Sequence, residues 1–136
     1  MLNSLILGYS DALILLARLL LMALFLITGW QKITGFAGTV QYMASTGSPV
    51  PQVATAIAIF MEFFVGIALI LGLWTRPLAL LFFVFTLATA VMGHPYWKLE
   101  GAARHDNQIN FYKNLSIMGG LLLLAVTGPG RFALMP

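Results

Sequence analysis

Four apolar runs, separated by short polar stretches, set the pattern of the chain. The first runs from Ala12 to Trp30 and is interrupted only by Arg18. The second runs from Val53 to Trp74 with Glu62 as its one charge, and the third, Pro77 to Gly93, has no charge at all. The fourth runs from Ile109 to Thr127, with Lys113 and Asn114 in its first turns. A helix needs about 20 apolar residues to cross a bilayer, with roughly 17 to 25 tolerated. Only helices and closed barrels span lipid, and the strict apolar/polar alternation of a barrel strand is absent here. The pattern therefore predicts an all-α fold: a transmembrane bundle of four helices, up-down-up-down, as one integral membrane domain over residues 1–136.

The connections fit. Thr75 to Pro77 reads as a tight turn, with Pro77 at a first helical position. Ser48-Pro49-Val50-Pro51 closes the first loop, and Gly128-Pro129-Gly130-Arg131 stops the fourth helix. Phe36, Val40 and Met43 fall at helical spacing in the first loop and predict a short helix on the membrane surface. His94 to Gln108 is the markedly polar stretch and reads as a loop. Ser116 with Gly120, and Ala54, Ala58 and Gly66, are small residues that let helices approach in lipid.

Composition sharpens the class. Hydrophobic residues make up 60% of the chain and charged residues 8%, against roughly 25% charged in an average globular protein. The net charge of +3 comes from basic residues scattered between apolar runs, which form no nucleic-acid-binding face. Without cysteine there are no disulfides, thiolate metal sites, cysteine-ligated clusters or covalent c-type haem. The two histidines, His94 and His105, are poorly spaced for a metal, and none is expected. The first ten residues hold no Lys or Arg, so the first run reads as a retained helix rather than a secretory signal.

An even number of spans places both termini on one face of the membrane, here termed the terminal face. A raw count of basic residues (Lys32, Lys98, Arg104 and Lys113 on the opposite, loop face) favours a cytoplasmic loop face. Lys32 and Lys113 sit at helix ends as candidate site residues, however, and Arg76 in its very short loop is a typical cytoplasmic anchor. Cytoplasmic termini are the expectation.

The candidate chemistry begins with Arg18 and Glu62. A mid-span charge costs about 2.5 to 3.5 kcal/mol on insertion scales, and opposite signs suggest a pair. Arg18 lies about 9 Å and Glu62 about 18 Å from the terminal face at the helical rise, a gap that a long Arg side chain narrows. As a pair they are either a register device or a catalytic couple in which Arg18 sets the charge state of Glu62. A second cluster gathers toward the loop face. Lys32 ends the first helix, His94 ends the third, Lys113 and Asn114 begin the fourth, and Glu62 lies further in from the same side, with Trp30, Tyr96, Trp97, Phe111 and Tyr112 around them. Aromatic belts and snorkelling lysines are ordinary at interfaces. Two polar residues opening an apolar helix are more specific. Cations, amide and imidazole donors and aromatic faces at the mouth of an apolar bundle suit an anionic or quinone-like ligand.

These residues resemble the DoxX family of small bacterial inner-membrane proteins. The resemblance rests on Arg18, Phe25-Leu26 and Gly29-Trp30-Gln31-Lys32, then on Glu62, Gly66, Leu71-Gly72 and Thr75-Arg76. It continues through His94-Pro95-Tyr96-Trp97, Asn110 to Leu115, Gly119-Gly120 and Gly128 to Arg131. It implies a bacterial plasma-membrane location and, through a family member that is a membrane subunit of a thiosulfate:quinone oxidoreductase, a link to quinone chemistry. Three readings follow. The first is a subunit of a quinone-linked redox system that works with a soluble or membrane oxidoreductase partner. In it Glu62 relays a proton, Arg18 holds its charge, and Lys32, His94, Trp97, Lys113 and Asn114 bind a quinone or small anionic reductant. The second is a permease or efflux component for an anionic or amphipathic solute, which implies a homo-oligomer because four helices enclose little water. The third is a structural partner subunit with no ligand of its own.

Overall fold

Each apolar run forms a helix, but the second stops at Leu71 rather than Trp74, and the tight turn expected at Thr75 to Pro77 lies instead at Gly72 to Trp74, because Gly72 takes the left-handed conformation that ends the helix and Thr75 already begins the next. The computed structural model describes residues 1–136. The spans are Ser10–Thr34, Pro51–Leu71, Thr75–Gly93 and Gly101–Thr127, each long and apolar enough to cross a membrane. The largest correction falls on the third connection. Gly101 to Gln108, expected as loop, forms the first turns of the fourth span. Ala102, Ala103 and Arg104 are strong helix formers, and a helix that emerges from lipid has no need of apolar side chains. Only the short turn around Tyr96–Lys98 separates the third and fourth spans. A helix at Leu2–Gly8, not anticipated, precedes the first span. The expected loop helix is present at Phe36–Ser45.

The interior is built from one stripe per span. Arg18, Met22, Phe25 and Gly29 face inward on the first, and Thr75, Ala79, Phe82, Thr86 and Ala90 on the third. Asn114, Met118, Leu121 and Ala125 do so on the fourth. Steps of three and four residues keep each set on one helical face. The core comprises Met22, Phe25, Met61, Val65, Leu69, Ala79, Phe82, Leu121, Leu124 and Ala125. Phe25 and Phe82 meet edge to face at 4.6 Å between centroids. By position along the spans, this core fills the middle and the terminal-face half. Leucines and valines outside the stripes are exposed, as a lipid-facing surface requires.

The first span packs along the second, and the third along the fourth. Gly29 makes the first contact tight: a Cβ there would lie 3.0 Å from the Phe63 amide nitrogen and 3.2 Å from the Glu62 Cβ. The second span ends at Gly72 in the left-handed region, φ 74°, where Leu73 N–H bonds back to Ala68 O and closes the last turn. Residues after Thr127 fold back over this turn, with Leu134 and Met135 N–H donating to Leu71 O and Gly72 O. Arg76 donates to Val126 O at 2.8 Å, a cation on the open carbonyl end of the fourth span.

Candidate functional site

The inward stripe of the first span continues past Gly29 to Lys32, and Thr28 lies one turn before that lysine. Both meet Glu62. Thr28 Oγ1 donates to Glu62 Oε1 at 2.6 Å, and Lys32 Nζ lies 3.0 Å from Oε1 and 2.9 Å from Oε2. Glu62 is buried, whereas Lys32 keeps 23% of its side chain exposed. The carboxylate sits in a π-helical stretch, Phe60–Val65, inside the second span. Such widened turns are rare and recur at functional sites.

This geometry corrects the expected Arg18–Glu62 pair. The Arg18 guanidinium instead holds backbone carbonyls: Nη1 donates to Pro129 O at 2.6 Å, and Nη2 to Ile70 O at 2.8 Å and Phe132 O at 2.7 Å. Met22 and Phe25 stand between Arg18 and the Thr28–Lys32 turn on their shared stripe, so the two charges occupy opposite ends of the core. Lys32 reaches Glu62 from the near end. Ile70 belongs to the last turn of the second span, whose carbonyls carry the negative end of the helix dipole and suit a buried cation. Arg18 is therefore a latch that ties the chain after Thr127 to the first two spans. It borders a separate apolar groove of about 560 Å³ against the fourth span, lined among others by Leu21, Gly120 and Leu124.

On the other side of the core, the loop-face halves of the spans surround a cavity of about 1000 Å³. Glu62, Lys32, His94, Trp97, Lys113 and Asn114 all line it. The cluster read from the sequence, with Glu62 at its inner end, is thus brought to one place, and Arg18 lies away from it. Asn114 is 6% exposed, and no protein group hydrogen-bonds its amide, which borders the cavity. The amide is open to the cavity, where it can hydrogen-bond to whatever fills that space. Lys113 Nζ donates to Asn110 Oδ1 at 3.1 Å. His94 Nδ1 lies 3.0 Å from Asn107 Oδ1, and Asn107 Nδ2 donates to Ala103 O. The second contact fixes the Asn107 amide orientation. His94 Nδ1–H is then the donor, which leaves Nε2 for other partners.

The loop helix roofs the cavity. Thr39, Tyr42 and Met43 line it, and Tyr42 Oη donates to Gly93 O at 3.1 Å across its mouth. Trp97 at the rim joins Tyr96, Phe111 and Tyr112 outside it in edge-to-face and tilted contacts, with Arg104 5.6 Å from the Tyr96 ring centroid. Sequence reasoning missed Thr28, Gln31, Tyr42 and Asn107. Thr28 carried a usable signal, since it precedes Lys32 by one helical turn on the inward stripe.

The model of the DoxX family matches residues 13–95, more than half of the chain. This protein belongs to the DoxX family. Two relatives extend that likeness through the fourth span. The Escherichia coli inner membrane protein YphA is 53% identical over 122 residues, covering 90% of this chain and 87% of YphA. The Escherichia coli inner membrane protein YqjF is 45% identical over 125 residues, covering 92% of this chain and 91% of YqjF. No solved structure matches the chain. This DoxX protein is an integral inner-membrane protein whose four spans contact the lipid bilayer.

Proposed function

We propose that this DoxX protein is the membrane subunit of a quinone-linked redox system and holds a quinone head group or a small anionic reductant in the loop-face cavity. The observation that supports this reading is the convergence of Lys32, Glu62, His94, Lys113 and Asn114 on one cavity of about 1000 Å³ with Trp97 at its rim. A quinone supplies ring carbonyls that accept hydrogen bonds and take up protons on reduction. The Asn114 amide is a free donor for such a carbonyl. Lys32 and Lys113 bring positive charge to the same space. Glu62, held by Thr28 and Lys32, is the group placed to pass a proton between the cavity and that carbonyl. The electrons come from an oxidoreductase partner, which this reading requires. The apolar core beneath the cavity weighs against the permease alternative, because a solute would have to cross Phe25, Phe82 and Leu121.

The test is a lipid extract of detergent-purified protein, examined for quinone by mass spectrometry. Wild-type protein is expected to carry quinone, and Asn114→Leu and the Lys32→Ala/Lys113→Ala double variant to lose most of it while remaining monodisperse. Quinone no higher than in an unrelated membrane protein purified alike, together with no binding of added quinone, overturns the reading.

A further inference from the structure

The cavity has a polar inner end and an apolar side, and the two differ in what they face. Span two meets span three near the terminal face, through the π-helical stretch and the turns after it. Its first half, Pro51–Ile59, packs instead on the first span and on the loop helix. Spans two and three therefore part toward the loop face. The residues that border the parting and also line the cavity are apolar and exposed: Ile57 on the second span, and Ala88, Val91 and Met92 on the third. The loop helix crosses above this gap, and the Tyr42–Gly93 hydrogen bond shuts it at the membrane surface. Ile57 and Ala88 lie more than one helical turn inside the loop-face ends of their spans, a position at which lipid rather than water borders an exposed side chain.

We infer that the cavity is entered sideways from the bilayer, between the second and third spans, and that its occupant is an amphiphile whose apolar tail stays in that gap. This rests on the quinone reading for the head group and adds the route and the tail. A purely water-soluble anion has no use for an apolar doorway, and a polar ligand arriving from the aqueous face meets the loop helix first. An amphiphile dissolved in lipid reaches Asn114 and Glu62 head first, with Ile57 and Ala88 alongside its chain. The same tail chemistry belongs to isoprenoid quinones and to acyl lipids, and the head group decides between them.

The chain has no cysteine, which allows a clean test. Ala88→Cys is purified in its folded state and then alkylated with a bulky aryl maleimide. Binding is measured for a decyl-tailed benzoquinone and for the same ring without its tail, before and after alkylation. Binding of both probes to Ala88→Cys before alkylation sets the reference. Afterwards the tailed probe is expected to weaken by roughly tenfold or more, about 1.4 kcal/mol, and the tailless ring to change by less than about twofold. Ile57→Trp, which places the same bulk on the facing span, should repeat the pattern. Equal weakening of both probes, or of neither, overturns lateral entry. Failure of the wild-type protein to bind either ring overturns the quinone reading instead. A long-chain fatty acid that displaces the tailed probe as effectively as the unlabelled tailed quinone assigns the site to acyl lipids and keeps the doorway.

Discussion

At the scale of single residues, Glu62 and Arg18 are held separately: Thr28 and Lys32 hold the carboxylate, and backbone carbonyls hold the guanidinium. Both are buried charges, and the sequence marks both as costly. What it does not carry is the position of the carbonyls of Ile70, Pro129 and Phe132, which hold both Arg18 Nη groups without any carboxylate and leave only Nε unpartnered. Backbone acceptors have no sequence signature, so depth and opposite sign point to a pair that the fold does not form. The two charges should therefore behave independently. Arg18→Leu strands several carbonyls and releases the chain after Thr127. It is expected to lower thermal stability in detergent by more than about 2 kcal/mol, since hydrogen bonds to charged groups contribute about 1.5 to 3 kcal/mol each. Adding Glu62→Leu should not recover it. Lys32→Met with Glu62→Leu, by contrast, should be less damaging than the sum of the single variants, with a coupling of about 0.5 to 3 kcal/mol. A recovery of Arg18→Leu by Glu62→Leu in the same thermal melts would restore the discarded pair.

At the scale of elements, helix existence was legible because hydropathy over about 20 residues is a strong signal. Helix ends were not, because the pattern marks where lipid stops and a helix continues for as long as its backbone bonds are satisfied. The fourth span shows this at Gly101 to Gln108, where polar side chains stand on unbroken helix. The π-helical stretch Phe60–Val65 left no trace either, since its residues are ordinary helix formers in lipid. Small residues were read in part. Gly120 does lie against another span, with a Cβ there 3.2 Å from Leu21, but Gly119 beside it faces open space, and among the glycines within the spans the closest approach belongs to Gly29. Glycine to alanine at these sites should separate packing from propensity. Gly29→Ala pushes the first two spans apart at the Lys32–Glu62 pair and is expected to destabilise by about 1 to 3 kcal/mol. Gly119→Ala is expected to be neutral or to stabilise by up to about 1 kcal/mol through helix propensity. Thermal unfolding of both variants in the same detergent makes the comparison, and equal effects would mean that Gly29 does not set the contact.

For the molecule as a whole, the bundle is asymmetric along the membrane normal. The terminal face is closed by the Arg18 latch, the Arg76 cap and the returned chain, with Arg131 N–H held by Asp11 Oδ1 at 2.8 Å. The loop face holds the cavity and a thin roof whose helix contains no buried residue. The even number of spans made the shared face of the termini readable in advance. The closing of that face was not readable, because it depends on chain that the apolar pattern discards as tail. The absence of native cysteine turns this asymmetry into a measurement. Gln31→Cys lies on the cavity wall, Ser48→Cys in the loop that follows the roof, and Arg131→Cys on the closed face. With a charged, membrane-impermeant maleimide, Gln31→Cys and Ser48→Cys are expected to label from one side of sealed vesicles and Arg131→Cys from the other. Tyr42→Phe should speed the labelling of Gln31→Cys by freeing the Gly93 carbonyl and loosening the roof. If Gln31→Cys and Arg131→Cys labelled from the same side, the four-span arrangement would fail. If Gln31→Cys labelled equally from both sides, the core beneath the cavity would not be a barrier, and the permease reading would return with a path through it.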